Sequence, residues 1–132
     1  MVQAVERLMS RTLHSIPATS DAQEAAERMA QEGIGSLLVT REGDYVGIVT
    51  EGDIMRKAVA RRMDLRKVPV EEVMSVPLLC IEAKKSTVDA LDLMEAHRVR
   101  HLVVTRAGEV RGMLSIRDLL RAFYMEQSAM GF

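Results

Sequence analysis

The sequence predicts an α/β (α+β) fold of two tandem repeats, each running strand, helix, strand, strand, helix. Three observations carry this. The 132-residue chain aligns with itself at an offset of 65 residues. Segments with helical apolar spacing alternate with short apolar runs. Tight turns containing glycine join the runs in pairs.

The self-alignment needs no gap between Val5 and Arg56. It sets Val5-Glu6 on Val70-Glu71, Met9-Ser10 on Met74-Ser75, Leu13 on Leu78, Ile16 on Ile81 and Met29 on Met94. Further on, Val39-Thr40-Arg41 meets Val104-Thr105-Arg106, Gly43 meets Gly108, Gly47 meets Gly112, and Asp53 meets Asp118. About a third of the positions are identical, far above coincidence between two amphipathic halves. The repeats are placed at 1–65 and 66–132. Alone, a unit of this size is marginal; two together bury a shared core.

In the first repeat a short helix at 5–9 precedes an extended stretch at 13–16. Ser20-Asp21-Ala22-Gln23 reads as a capping box that opens a helix. Ala22, Ala25, Ala26 and Met29 share its buried face, and Gly33 stops it. Strands at 36–40 and 45–49 flank the turn Arg41-Glu42-Gly43-Asp44, which makes them an antiparallel hairpin. A helix runs from about 51 to 60. In the second repeat Ser86-Thr87-Val88-Asp89 opens a helix ending near His97, strands follow at 101–105 and 110–114, and a last helix begins near Ile116. The basic stretch 61–69 reads as a solvated linker.

Composition narrows the function. A net charge of -1 provides no global basic field for nucleic acid. No apolar run approaches the ~20 residues of a membrane span, and the N-terminus lacks the apolar core of a secretory signal. The single cysteine, Cys80, cannot form an internal disulfide, so a cytoplasmic location is expected. Cys80 is read as a small core residue without a nucleophile's local partner. His14, His97 and His101 do not form a metal-ligand spacing with it. No constellation supports turnover, so neither a catalytic residue nor a metal ligand is assigned and the chain is read as a non-enzyme.

The sharpest repeated motif closes each hairpin: Gly47-Ile48-Val49-Thr50-Glu51-Gly52-Asp53 and Gly112-Met113-Leu114-Ser115-Ile116-Arg117-Asp118. Glycine permits close backbone approach. The hydroxyl sits where strand becomes helix, beside N–H groups that favour an anion. An Asp one turn later can accept hydrogen bonds from both hydroxyls of a ribose. That combination fits a nucleoside phosphate. The same spacing also fits a capping box with Asp in place of Glu or Gln, and the two roles are compatible.

With these marks the chain resembles a tandem pair of CBS domains, a Bateman module. The resemblance rests on the Val-x-x-Met-Ser opening at 70–75 and its looser copy at 5–10, on Gly33-Ile34-Gly35-Ser36-Leu37-Leu38-Val39, on Val99-Arg100-His101-Leu102-Val103-Val104, and on the two Gly-to-Asp motifs. It implies repeats packed with pseudo-two-fold symmetry and clefts between them for AMP, ADP, ATP, NAD or an S-adenosyl compound such as S-adenosylmethionine, with no obligatory cofactor. It further implies ribose at Asp53 and Asp118, ribose and phosphate near Thr50 and Ser115, and adenine along Thr12, His14 and Ile16 and along Pro77, Leu78 and Cys80. Ile34, Gly35, Val99 and Arg100 would line the base, with His101 at the pocket edge. As a regulatory module, such a pair would signal to a separate effector protein and form a homodimer. A dimerisation scaffold with vestigial pockets is the alternative.

The copies differ in charge. Arg98, Arg100, His101 and Arg117 in the second align with Gly33, Gly35, Ser36 and Gly52 in the first, where Glu51 adjoins Thr50. Guanidinium groups suit phosphate, so a phosphorylated ligand is expected at the second copy. The apolar tail 123–132 is expected to pack on a partner subunit.

Overall fold

The computed structural model describes residues 3–129. It has the predicted order: β1 (Ser15–Pro17), α1 (Ala22–Glu32), β2 (Ser36–Arg41), β3 (Asp44–Thr50) and α2 (Glu51–Ile54), then β4 (Cys80–Glu82), α4 (Thr87–His97), β5 (His101–Arg106), β6 (Glu109–Ser115) and α5 (Ile116–Ala129). A short helix α3 (Val70–Val73) lies between the two series. Each series forms its own three-stranded sheet, β1-β2-β3 and β4-β5-β6, with the first pair parallel and the second antiparallel. The end of the tail, Met130, Gly131 and Phe132, lies outside the described residues.

The hairpin turns follow from local chemistry. Glu42 and Gly43 both have positive φ, as do Ala107 and Gly108. Two such residues make the turn whose twist matches that of the flanking strands. Gly33 ends α1 in the left-handed region, its N–H donating to the Met29 carbonyl. Arg98 holds the equivalent conformation after α4.

Three local expectations change. The cap of α1 is Asp21, whose carboxylate accepts from the Glu24 N–H; Ser20 lies one residue too early. The helix expected over 51–60 is α-helical only to Ile54 and continues as a π-turn over Met55–Val59. Cys80 is exposed rather than core, because strand alternation turns Ile81 inward and its neighbours outward. Partial desolvation pushes its thiol up, which disfavours the thiolate. The capping box of α4 forms as predicted, and the backbone N–H and hydroxyl of Ser86 hold the Asp89 carboxyl below the usual range.

The compact units are His14–Leu78 and, separately, the segment up to Leu13 joined to the chain from Leu79 onward. Each sheet thus carries the leader of the other sequence repeat. In the first unit Ser75 bridges Ile48 on β3; in the other Ser10 bridges Met113 on β6. The leader helix buries Val70 and Val73 in one core and the leader turn buries Val5 in the other. Every buried residue of the second cluster, from Ile81 to Leu119 together with Val5, has its counterpart 65 positions away in the first.

Gly47 and Gly112 make this docking possible. A Cβ on Gly112 would stand 2.6 Å from the Ser10 carbonyl oxygen and 2.5 Å from Met9 Sδ; on Gly47 it would stand 3.0 Å from the Ser75 oxygen and 2.7 Å from Met74 Sδ. A bulge adjoins each glycine, between Val39 and Thr40 on one partner strand and Val104 and Thr105 on the other. Gly112→Ala should therefore cost ~1–3 kcal/mol through overpacking. Thermal unfolding should show a clearly lowered Tm; an unchanged Tm would contradict the close approach.

Candidate functional site

Both Gly-to-Asp motifs end at a helix start, and both form the capping box. In the first unit Thr50 Oγ1 accepts from the Asp53 N–H at 3.1 Å, and Asp53 Oδ2 accepts from the Thr50 N–H at 3.0 Å. In the other unit the Asp118 N–H donates to Ser115 Oγ at 3.2 Å, and the Ser115 N–H donates to Asp118 Oδ2 at 2.8 Å. The capping reading of the motif is realised in each copy. One carboxylate oxygen per Asp is spent on it.

The second oxygen is where the copies part. Asp53 Oδ1 accepts from the Ser75 hydroxyl at 2.9 Å and meets the Lys57 ammonium at 3.1 Å. Lys57 also donates to the Val73 carbonyl at 3.0 Å and lies 3.4 Å from Ser75 Oγ. Asp53 is only 2% exposed. Such a buried carboxylate is tolerated because donors meet both of its oxygens. At Asp118, among the described residues, Oδ1 has only the Arg121 guanidinium at 3.8 Å, the counterpart of Arg56 at 3.9 Å from Asp53 Oδ1, and the side chain is 17% exposed. Asp118 lines a cavity of about 480 Å³, with Gln3, Arg7, Leu8, Arg121, Ala122 and Met125 among its other walls.

The hairpins bring several predicted residues to the motifs. Ser36 pairs with Thr50 across β2 and β3, and the Gly35 carbonyl accepts from the Glu51 N–H at 3.1 Å, so Ile34 and Gly35 stand at the start of α2. In the other unit His101 pairs with Ser115, and the Arg100 carbonyl accepts from the Ile116 N–H at 2.8 Å. Val99, Arg100, His101, Ser115 and Arg117 are thereby gathered at one end of β5 and β6, with Arg100 and Arg117 exposed. The His14 carbonyl accepts from the Leu38 N–H and is already committed to the sheet. Ile16 is buried in the core, while Thr12 and Pro77 are exposed and Leu78 is half-buried. Thr12 and Cys80 belong to the unit of Asp118; His14, Ile16, Pro77 and Leu78 belong to that of Asp53.

Lys57, Ser75 and the cavity walls Arg7 and Ala122 were not foreseen. A signal existed for Lys57: it lies four residues after Asp53, one helical turn on. Among the described residues no group of three His, Cys, Asp or Glu could hold a metal ion. Likewise no helix there is long and apolar enough to cross a membrane.

Two copies of one α/β unit, each with a capped Asp at a strand-to-helix junction, define a duplicated module. The CBS domain family matches at residues 5–60 and 70–124. A CBS domain-containing protein of Bacillus subtilis, YhcV, is 30% identical over 89% of this chain and 84% of its own length, whereas the chain spans 22% of the length of several longer relatives. A candidate signal-transduction protein with CBS domains from Burkholderia ambifaria matches with a TM-score of 0.91 and 34% identity, over 95% of this chain and 96% of that one. The CBS domain protein PAE2072 of Pyrobaculum aerophilum, complexed with AMP, matches with a TM-score of 0.80 and 32% identity over 96% and 98% of the two chains. The chain belongs to the CBS domain family and carries a CBS pair, a regulatory module.

The unequal burial of the two carboxylates predicts unequal structural roles. Asp53→Ala should destabilise by about 2–3 kcal/mol, since it removes the cap together with the buried acceptor of the Ser75 hydroxyl and the Lys57 ammonium. Asp118→Ala should cost about 1 kcal/mol, the usual loss of a cap. Denaturant unfolding of the two variants measures both; equal costs would refute the distinction.

Proposed function

We propose that this CBS pair senses an adenosine-containing ligand, AMP, ADP or ATP first among them, and passes the bound state to a separate effector protein. The observation that carries the proposal is the AMP complex of the similar Pyrobaculum aerophilum protein. The chemistry of the Asp118 copy supports it. Asp118 Oδ1 is not spent on the cap and can accept from ribose hydroxyls. Arg98, Arg100 and Arg117 supply guanidinium donors for phosphate. Thr12, Cys80, Val99 and His101 complete the proposed contacts. In the other copy they are Thr50 and Asp53 with His14, Ile16, Ile34, Gly35, Pro77 and Leu78. NAD and S-adenosylmethionine share the adenosine end and belong to the same ligand class.

The exposed Cys80 thiol suits a reducing, cytoplasmic setting. Sensing requires that the ligand bind one state of the protein more tightly than another.

The chain self-associates in this reading. Leu120, Phe123 and Tyr124 of α5 are 60–72% exposed and, at helical spacing, form an apolar surface that a second copy would cover. Sedimentation should show a dimer, and Leu120→Asp with Tyr124→Asp should give a monomer; a monomeric unsubstituted chain would refute this part.

Melting in the presence of AMP, ADP, ATP, NAD and S-adenosylmethionine separates sensor from scaffold. A ligand at 100 times its Kd adds ~2.7 kcal/mol of stability and raises Tm. In calorimetry Asp118→Ala should weaken AMP ~10–100-fold, the worth of a charge-assisted hydrogen bond. A flat melting response across all five compounds would favour a dimerisation scaffold with vestigial pockets.

A further inference from the structure

The 65-residue equivalence sets Lys57 against Ala122. In the first copy the Lys57 side chain runs along the turn after Asp53 and places its ammonium on Asp53 Oδ1, the Val73 carbonyl and the Ser75 hydroxyl. In the second copy the groups equivalent to those acceptors are Asp118, Leu8 and Ser10. Ala122 offers them no ammonium, and it lines the cavity of about 480 Å³ that Asp118 and Leu8 also line. The same backbone and the same carboxylate are thus closed in one copy and open in the other: the Lys57 ammonium, together with the Ser75 hydroxyl, fills the first.

We infer that Lys57 is a built-in occupant of the Asp53 copy, so that each chain takes one nucleotide, in the Asp118 copy. This rests on the nucleotide reading proposed above. A ligand hydroxyl competing for Asp53 Oδ1 would have to displace both an ammonium and the Ser75 hydroxyl from a carboxylate that is 2% exposed. At Asp118 the corresponding oxygen faces only a distant guanidinium, on an exposed arginine. Lys57 itself is partly exposed, so its release into water does not require unfolding of the unit. Its loss of charge would open the first copy.

Reciprocal substitutions test this with AMP as the probe, by calorimetric stoichiometry and affinity. The unsubstituted chain should bind one AMP. Ala122→Lys rebuilds the closed arrangement and should weaken that binding ~10–100-fold. Lys57→Ala should add a second AMP site, and Asp53→Asn in that background should remove it again. Two equal sites in the unsubstituted chain, or full affinity in Ala122→Lys, would overturn the Lys57 assignment while leaving the nucleotide reading intact. No AMP binding in any form would overturn both. Ala122 is a half-buried surface position, so that variant remains informative even where Lys57→Ala fails to fold. Acetylation kinetics give a ligand-free readout: Lys57 should react more slowly than exposed Lys67, and Asp53→Asn should abolish the difference. Equal rates in the unsubstituted chain would also overturn the assignment.

Discussion

The close approach of a leader segment to a glycine on the third strand organises each unit. Ser75 can pair with Ile48, and Ser10 with Met113, only because Gly47 and Gly112 have no side chain in the way. The approach seats Val70 and Val73 in one core and Val5 in the other. It also brings a Met-Ser pair to the strand that leads into the helix carrying the Asp. The glycine of the Gly-to-Asp motif therefore serves the protein's own backbone. Its spacing from the Asp reflects strand geometry as well as any ligand.

The carboxylate network shows how one motif acquires two characters. A capping box uses one oxygen of Asp53 or Asp118 and leaves the other to its surroundings. Around Asp53 those surroundings are a hydroxyl and an ammonium on adjoining elements, and the group is buried and satisfied. Around Asp118 they are a cavity and Arg121 at 3.8 Å, which matches Arg56 at 3.9 Å from Asp53 and leaves the hydroxyl and ammonium as the difference. Burial with full pairing favours structural stability, whereas an under-used carboxylate oxygen beside open space favours recognition. The arginines of the second repeat point the same way by an independent route.

Much of this was readable in the residues. Apolar spacing and glycine turns located β2, β3, β5 and β6 nearly to the residue, because a hairpin's turn sets its register. The capping box of α4 was legible because Ser86 and Asp89 are local to one turn. Asp21 displaced Ser20 as the cap of α1 for an equally local reason, since either side chain could accept and only backbone geometry chooses. The π-turn after Ile54 and the exposure of Cys80 depend on packing and strand phase, which composition does not report.

The duplicated sequence by itself determined the element order and the pair of Gly-to-Asp motifs, since periodicity, turn chemistry and caps act within a few residues; the expected shared core is instead two equivalent clusters. Only the tertiary structure decided which leader completes which sheet and what meets the second oxygen of each Asp. Those contacts join residues up to about a hundred positions apart, as Ser10 and Met113 are, and no local pattern encodes such a pairing. Lys57 and Ala122 look like unremarkable helix residues until the carboxylate beside each is seen to be filled or open.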